Sequence, residues 1–349
     1  MNPPRALTVA VVGATGVVGQ EFLRILEERA FPVKRLVALA SKRSVGRHVT
    51  FAGEEVAVED LDETDFGGVD VAFFSAGGDR SLEHAPRAAQ AGALVVDNSS
   101  AFRMDPDVPL VVPQVNAHRA LEHRGIIANP NCSTILLVMA LAPLHRHVPV
   151  RRVVCSTYQA VSGSGAEALA ELEAQGEASR EGRPLEARVY PQPIHANVIP
   201  FVQAFGEDAI TLEEWKLVHE TRRLLEEPDF AVTATCVRVP VLRAHSEAVN
   251  VEFERPVSPA EVRRWLAEAP GVRVVDDPDT LAFPTPRDAE GGDDVLVGRI
   301  RRDPSRDTAV DLFLAGDQVR KGAALNAVEI AEAVLVSPVG SPPGRDPIP

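Results

Sequence analysis

The segment Asn129-Pro-Asn-Cys132-Ser-Thr sets a thiol among short polar side chains, directly before an apolar run that reads as a helix. Pro130 disfavours helix at the residue before it, so the helix is expected to begin at or near Cys132. A cysteine in that position meets the positive end of the helix dipole, which lowers its pKa and favours the nucleophilic thiolate. Cys155 and Cys236 stand inside apolar strand patterns and read as small core residues instead. A thiolate at work also needs a group that moves protons. Among the nine histidines, His245 lies in the polar segment Arg238-Val-Pro-Val-Leu-Arg-Ala-His245-Ser-Glu, between two strand-like runs. His118, His123, His145 and His147 fall on helices or helix ends, where a solvated imidazole is the default.

A second constellation lies near the start of the chain. In Val9-Ala-Val-Val-Gly13-Ala-Thr-Gly16-Val-Val-Gly19, three glycines join an apolar strand to a helix. Glycine lets the backbone turn sharply and approach a pyrophosphate, and the helix N-terminus supplies amides and a partial positive charge. This is a Gly-x-x-Gly-x-x-Gly variant of the dinucleotide fingerprint, and its place after the first strand of a βαβ unit is what makes it specific. A tight strand–helix turn that binds nothing is the alternative. An NAD site would carry Asp or Glu about 20 residues beyond the glycines, on the ribose hydroxyls. Here the second strand ends in Ala40-Ser41-Lys42-Arg43-Ser44, which has no acid. Two cations and two hydroxyls suit a 2′-phosphate, so NADP is expected; a solvated basic loop is the plainer reading. A thiolate beside a nicotinamide implies one reaction type: the thiol adds to an aldehyde, hydride passes to the cofactor, and a thioester remains.

These groups must be carried by particular elements. Strands are predicted at Leu7–Val12, 35–40, 69–75, 93–97 and 110–113, with helices over 19–30 and 81–91 between them. That alternation implies βαβ units and a parallel sheet. From Cys132 onward the pattern changes. A helix over 133–147, apolar nearly all round, reads as buried. Strands are predicted over 150–158, 233–239, 248–253 and 309–315, with helices over 259–268 and 323–335, which reads as α+β with a mixed sheet. The acidic, Pro- and Gly-containing stretch 276–294 reads as a surface loop. At 349 residues the chain has room for about two domains. Lys plus Arg is 36 against 50 Asp plus Glu, a net charge of −14, so a phosphate backbone is repelled and nucleic acid is not an expected partner. No apolar run approaches the roughly 20 residues of a membrane span. Three cysteines make no disulfide framework, and a cytoplasmic location with free thiols is expected.

Taken together, Gly13-Ala-Thr-Gly16-Val-Val-Gly19, Asn129-Pro-Asn-Cys132-Ser-Thr, Tyr158-Gln159-Ala-Val-Ser162-Gly163-Ser-Gly, Glu213-Glu-Trp-Lys216, Arg238-Val-Pro-Val-Leu-Arg-Ala-His245-Ser and Arg320-Lys-Gly-Ala-Ala-Leu-Asn resemble the aspartate-β-semialdehyde dehydrogenase family over about residues 7 to 336. The related N-acetyl-γ-glutamyl-phosphate reductases usually read Asn-Pro-Gly-Cys-Tyr at the cysteine and lack the Glu-Glu-Trp-Lys segment; Asn131 and Ser133 favour the aspartate family. A non-catalytic NADP-binding homologue is a further alternative, and it would be expected to have lost the nucleophile or the base.

The resemblance implies an α/β fold: a Rossmann-type dinucleotide-binding domain over 1–132, completed by a C-terminal helix over 320–336, and an α+β catalytic and dimerisation domain over 133–319, with a flexible tail over 337–349. It implies Cys132 as acyl-enzyme nucleophile, His245 as acid/base, and Gln159 as the residue that orients the bound intermediate. Arg238 is implied to pair with the substrate carboxylate, Glu213 to lie near its amino group, and Arg103 and Lys216 to hold phosphate. Gly13, Thr15, Gly16, Val17, Val18, Arg43, Ser44, Ser162, Gly163 and Gln318 are implied to contact NADP. At the last of these the family usually has Asp-Asn-Leu, where this chain has Asp317-Gln318-Val319. The implied reaction is reversible and NADPH-dependent: L-aspartyl 4-phosphate to L-aspartate 4-semialdehyde and phosphate, feeding lysine, threonine, methionine and diaminopimelate synthesis. The implied assembly is a homo-oligomer, dimer or tetramer, with no metal.

Overall fold

A computed structural model describes residues 6–336, and the expected tail lies outside them. Two sheets organise the chain. The first has seven strands: β1 (Leu7–Val12), β2 (Val33–Ala40), β3 (His48–Phe51), β4 (Glu54–Asp60), β5 (Val71–Phe74), β6 (Leu94–Asp97) and β7 (Ile126–Ala128), in the order β3-β4-β2-β1-β5-β6-β7. Every pairing is parallel except β3 with β4. Strand order reverses at β1, which has β2 on one side and β5 on the other. Ligands of such sheets bind beyond the carboxyl ends of the strands at that switch point, where the Gly13 turn begins. Helices Val17–Glu28 and Gly78–Gln90 follow β1 and β5. Phe22 of the first stacks on Phe73 of β5, with ring centroids 4.8 Å apart.

The second sheet has six strands: β8 (Val150–Gln159), β9 (Ala231–Arg238), β10 (His245–Phe253), β11 (Val272–Val274), β12 (Val295–Arg302) and β13 (Ala309–Gly316), in the order β11-β12-β13-β10-β8-β9. It is mixed, with β8/β9 and β11/β12 parallel and the rest antiparallel. The α/β class with a mixed second sheet agrees with the sequence reading. Two compact units result. One gathers the chain up to Thr15, Phe22–Asn129 and the chain from Asn326; the other gathers Gly16–Glu21 and Pro130–Leu325. No helix among the described residues is long and apolar enough to cross a membrane.

Several elements differ from expectation. Residues 110–113 form no strand: Leu110 makes a single bridge to Ala128, and Pro113 opens a short helix, Pro113–Asn116. Strands β3, β4, β7, β11 and β12 and the helices Ala166–Arg180 and Leu212–Leu225 were not expected. His245 is the first residue of β10 rather than part of a polar segment before it. The expected surface loop holds the short helix Pro286–Ala289 and a bridge between Asp277 and Ala282.

Candidate active site

The helix Cys132–His147 starts where the Asn-Pro-Asn segment places it. Asn131 is its N-cap, and its side-chain oxygen accepts from the amides of Ser133 at 3.0 Å and Thr134 at 3.3 Å. Cys132 is thus the first helical residue, half-buried, at the positive end of the dipole. Cys155 and Cys236 are buried, and desolvation, with nearby carboxylates, pushes both thiols up. Neither has the setting of a nucleophile.

Strand register gathers the polar partners. β8 ends at Gln159 and the parallel β9 ends at Arg238, paired with it; β10 runs the other way and begins at His245, one residue before the Ser246–Tyr158 pair. Alternation along each strand puts Gln159, Arg238 and His245 among the buried residues. The Gln159 amide donates to Ser133 Oγ at 2.7 Å and to Glu213 Oε1 at 3.0 Å, which ties the start of the cysteine helix to the end of β8. Its own Oε1 is buried and has no partner among the described residues. The main-chain amide of Ala160, the next residue, donates to His245 Nδ1 at 3.0 Å, and the Ala160 carbonyl accepts from Arg238 Nη1 at 2.6 Å.

Glu213 lies in the first turn of the helix Leu212–Leu225, which a Thr211–Glu214 capping box begins. Its carboxylate accepts from Asn131 Nδ2, Gln159 Nε2 and Lys216 Nζ, each at 3.0 Å. Burial opposes its charge, but Lys216 foremost, with the Gln159 and Asn131 amides, outweighs burial and draws its pKa down to about 2. Lys216 also donates to Gln203 Oε1 at 2.7 Å. Burial, then the Arg238 charge, holds His245 down to about 3 despite Glu213 nearby. Its Nδ1 accepts a backbone proton, so the neutral ring carries its own proton on Nε2. Arg238 stacks over the Tyr190 ring at 5.8 Å, and its Nε is buried with no hydrogen-bond partner among the described residues.

Gly163 lies across this cluster. A Cβ there would stand 3.1 Å from Arg238 Nη1 and 3.2 Å from His245 Cε1. Gly163→Ala is therefore expected to displace the Arg238 guanidinium, the His245 ring or both and to lower kcat at least about tenfold, with thermal stability nearly unchanged. A steady-state assay beside a melting curve checks this; an unchanged kcat would show that the crowding is absorbed elsewhere.

Gly13, Thr15, Arg43, Ser44 and Arg103 belong to the other unit, and Gly16, Val17 and Val18 to the same unit as Cys132. Gly13 has φ 88°, and its amide and that of Ala14 both donate to the Leu39 carbonyl, which pins the turn to the end of β2. A Cβ at Gly13 would lie 2.3 Å from the Ser75 carbonyl oxygen, so only glycine fits. Thr15 Oγ1 lies 3.4 Å from Ser44 Oγ. Gly16, Val17 and Val18 lead into the first turn of the helix Val17–Glu28, whose amides have no intrahelical partner. Arg43 is exposed on a 3-10 turn, Lys42–Ser44, and has no ion-pair or side-chain hydrogen-bond partner among the described residues. Arg103 is buried, with Nε donating to the Asn129 carbonyl at 2.9 Å and Nη2 to that of Asn98 at 2.7 Å. Asn131 and Ser133 were noted from sequence as polar neighbours of Cys132 without a structural role, and Glu220, whose carboxylate accepts the Asn131 amide at 2.6 Å, was not singled out. The Asn-x-Ser spacing at Asn131 was the available N-cap signal.

A dinucleotide-type turn on a parallel sheet, with a second sheet and a cysteine at a helix start, is the arrangement of a thiol-dependent dehydrogenase of aldehydes. Two family models match the chain: the semialdehyde dehydrogenase NAD-binding domain over residues 8–123 and the semialdehyde dehydrogenase dimerisation domain over residues 141–321. Aspartate-semialdehyde dehydrogenases of Aquifex aeolicus and Legionella pneumophila are 50% and 51% identical over 331 residues, covering 94% of this chain and 97% and 95% of theirs. A solved aspartate semialdehyde dehydrogenase II from Vibrio cholerae, complexed with ASA, is 44% identical with a TM-score of 0.93, covering 95% of this chain and 99% of that one. That of Candida albicans, solved with NADP, is 28% identical with a TM-score of 0.74, covering 95% and 98%. The chain belongs to the aspartate-semialdehyde dehydrogenase family, oxidoreductases of amino-acid biosynthesis that use a nicotinamide dinucleotide.

Proposed function

We propose that the chain catalyses the reversible, NADP-dependent reductive dephosphorylation of L-aspartyl 4-phosphate to L-aspartate 4-semialdehyde through an acyl-thioester on Cys132. The observation that carries this reading is the Gln159–Ser133 hydrogen bond, which joins the Cys132 helix start to the strand end beside Arg238 and His245. The Cys132 sulfur attacks the acyl carbon and phosphate leaves, so that the C–S bond forms as the C–O bond breaks. A nicotinamide dinucleotide, when bound, would supply the hydride that reduces the thioester. Collapse of the resulting thiohemiacetal then frees the aldehyde and regenerates the thiolate. Arg238 holds the substrate carboxylate by a paired guanidinium contact. Glu213 lies toward the amino group, and Arg103 and Lys216 neutralise the phosphate. Gln159 orients the acyl group. His245 donates from Nε2 in its neutral form. It is the proposed acid/base group, and with Nδ1 held by the Ala160 amide the thiohemiacetal oxygen meets it at the Nε2 hydrogen, which the oxyanion accepts as a hydrogen bond.

For the dinucleotide, Gly13, Thr15, Gly16, Val17 and Val18 present a turn and a helix start, and Ser162, Gly163 and Gln318 are further proposed contacts. The unpaired Arg43 guanidinium beside Ser44, with no acid at the end of β2, favours the 2′-phosphate of NADP. The proposed domains are those expected, 1–132 with 320–336 and 133–319, in a cytoplasmic homodimer or homotetramer. The product would supply lysine, threonine, methionine and diaminopimelate synthesis.

The test is phosphate-dependent reduction of NADP by aspartate semialdehyde, with aspartyl phosphate and N-acetyl-γ-glutamyl phosphate compared in reverse. NADP is expected to exceed NAD in kcat/KM, and Arg43→Ala to weaken NADP about tenfold or more while sparing NAD, because only NADP carries the extra phosphate. Preference for NAD by the unmodified enzyme would contradict the cofactor reading. Preference for the glutamyl substrate would overturn the substrate reading.

A further inference from the structure

His245 follows a residue in an unfavourable backbone conformation. Ala244 has φ 70°, in the left-handed region that an L-residue with a Cβ rarely adopts. The turn that holds it is clasped by two successive residues from beyond β13. Asp317 Oδ2 accepts from Arg243 Nε at 2.7 Å and from the Gly291 amide at 2.7 Å. Gln318 Oε1 accepts the Ala244 amide at 2.8 Å, and Gln318 Nε2 donates to Ser162 Oγ. The Gln318 side chain is buried, so its carboxamide spans from the residue before His245 to the turn after β8. That turn is also fastened to the same loop by the Val161 amide on the Val241 carbonyl and the Ser162 amide on the Leu242 carbonyl. It carries the Ala160 amide that fixes His245 Nδ1.

We propose that Gln318 is a positioning residue for His245, acting through Ala244 and Ser162, in addition to any contact with the dinucleotide. By accepting the Ala244 amide it stabilises the left-handed turn, and by holding Ser162 it keeps the Ala160 amide under the imidazole. The ring is thereby held with Nδ1 occupied and Nε2 as the nitrogen that meets substrate. Without the carboxamide, Ala244 relaxes toward a commoner conformation and the imidazole loses its register. The inference rests on the reading of His245 as the acid/base group.

The experiment uses the full chain and four variants: Gln318→Leu, Ala244→Gly, the two combined, and His245→Asn. Glycine reaches positive φ without a steric cost, so it holds the turn without the hydrogen bond. Gln318→Leu is expected to lower kcat, measured at saturating NADP, on the order of tenfold, the size of one lost hydrogen bond, separately from any loss of NADP affinity through its proposed dinucleotide contact. Ala244→Gly alone should stay within about twofold of the unmodified enzyme, and in the double variant it should restore about threefold of the lost kcat, the part that runs through Ala244 rather than Ser162. A Gln318→Leu variant that weakens NADP and is not rescued by Ala244→Gly would overturn the proposal and leave Gln318 as a cofactor contact alone. Melting curves accompany each assay; if leucine unfolds the chain, Gln318→Met takes its place. A small effect of His245→Asn would refute the acid/base reading and the positioning proposal with it. A large effect of His245→Asn beside an unimpaired Gln318→Leu would refute the positioning proposal only.

Discussion

Cys132→Ser is expected to lower turnover by several orders of magnitude while leaving NADP affinity close to that of the unmodified chain. The cause is chemical rather than steric: serine fits the first helical position, but an alkoxide is far harder to form than a thiolate, and a helix dipole does not close that gap. The cap at Asn131 uses backbone amides and its own oxygen, so it survives the exchange. Turnover measured beside NADP binding separates chemistry from folding. Near-normal turnover in the serine variant would mean that the nucleophile lies elsewhere, and the two buried thiols offer no substitute.

The second large effect divides two anion sites. Arg238 is read as holding the carboxylate that every substrate form carries, and Arg103 as holding only phosphate. Losing a charge-assisted partner in a closed site costs on the order of 2–4 kcal/mol. That corresponds to roughly 30- to 1000-fold in kcat/KM. Arg238→Ala should therefore impair semialdehyde oxidation whatever anion accepts the acyl group. Arg103→Ala should raise the KM for phosphate and leave that for semialdehyde nearly unchanged. Varying each substrate in turn measures both. Parallel rises of the two KM values in both variants would show that the arginines share one site or act through folding. Arg103 donates to two backbone carbonyls and Arg238 to one, and the Arg103 charge also favours the buried Asp97 carboxylate, so a melting curve accompanies the Arg103→Ala assay.

Much of the chemistry was legible because it is local. The turn after β1 needs positive φ at Gly13, and a glycine spacing records that need directly. The start of the cysteine helix is written in Asn-Pro-Asn, because a cap and a helix-breaking proline act over a few residues. The missing acid after β2 is likewise a statement about one strand end. Less was read from the second half. The helix Leu212–Leu225 went unpredicted although Thr211 and Glu214 carry a capping-box pattern, since its buried face includes the polar Glu213, Glu220 and Thr221 and blurs the apolar stripe. Strands β3 and β4 are largely exposed and carry little hydrophobic signal. Residues 110–113 looked like a strand by composition, but Pro113 lacks the ladder N–H and starts a helix instead.

By itself the sequence determined the residue types, the starts of the two helices at Val17 and Cys132, and the class of each half of the chain. Only the tertiary structure decided which of those residues meet. Gln159 reaches Glu213 across 54 positions, Asn131 reaches Glu213 across 82, and the Ala160 amide reaches His245 across 85. The last pairing follows from the register of β8 and β10, chosen by burial of a whole sheet face rather than by any short segment, and the first two need the helix Leu212–Leu225 beside the start of the cysteine helix. The imidazole tautomer, the low Glu213 pKa and the Gln318 clasp on Ala244 all depend on such placements. Each is set by what a side chain faces after folding, and neighbours along the chain do not specify it.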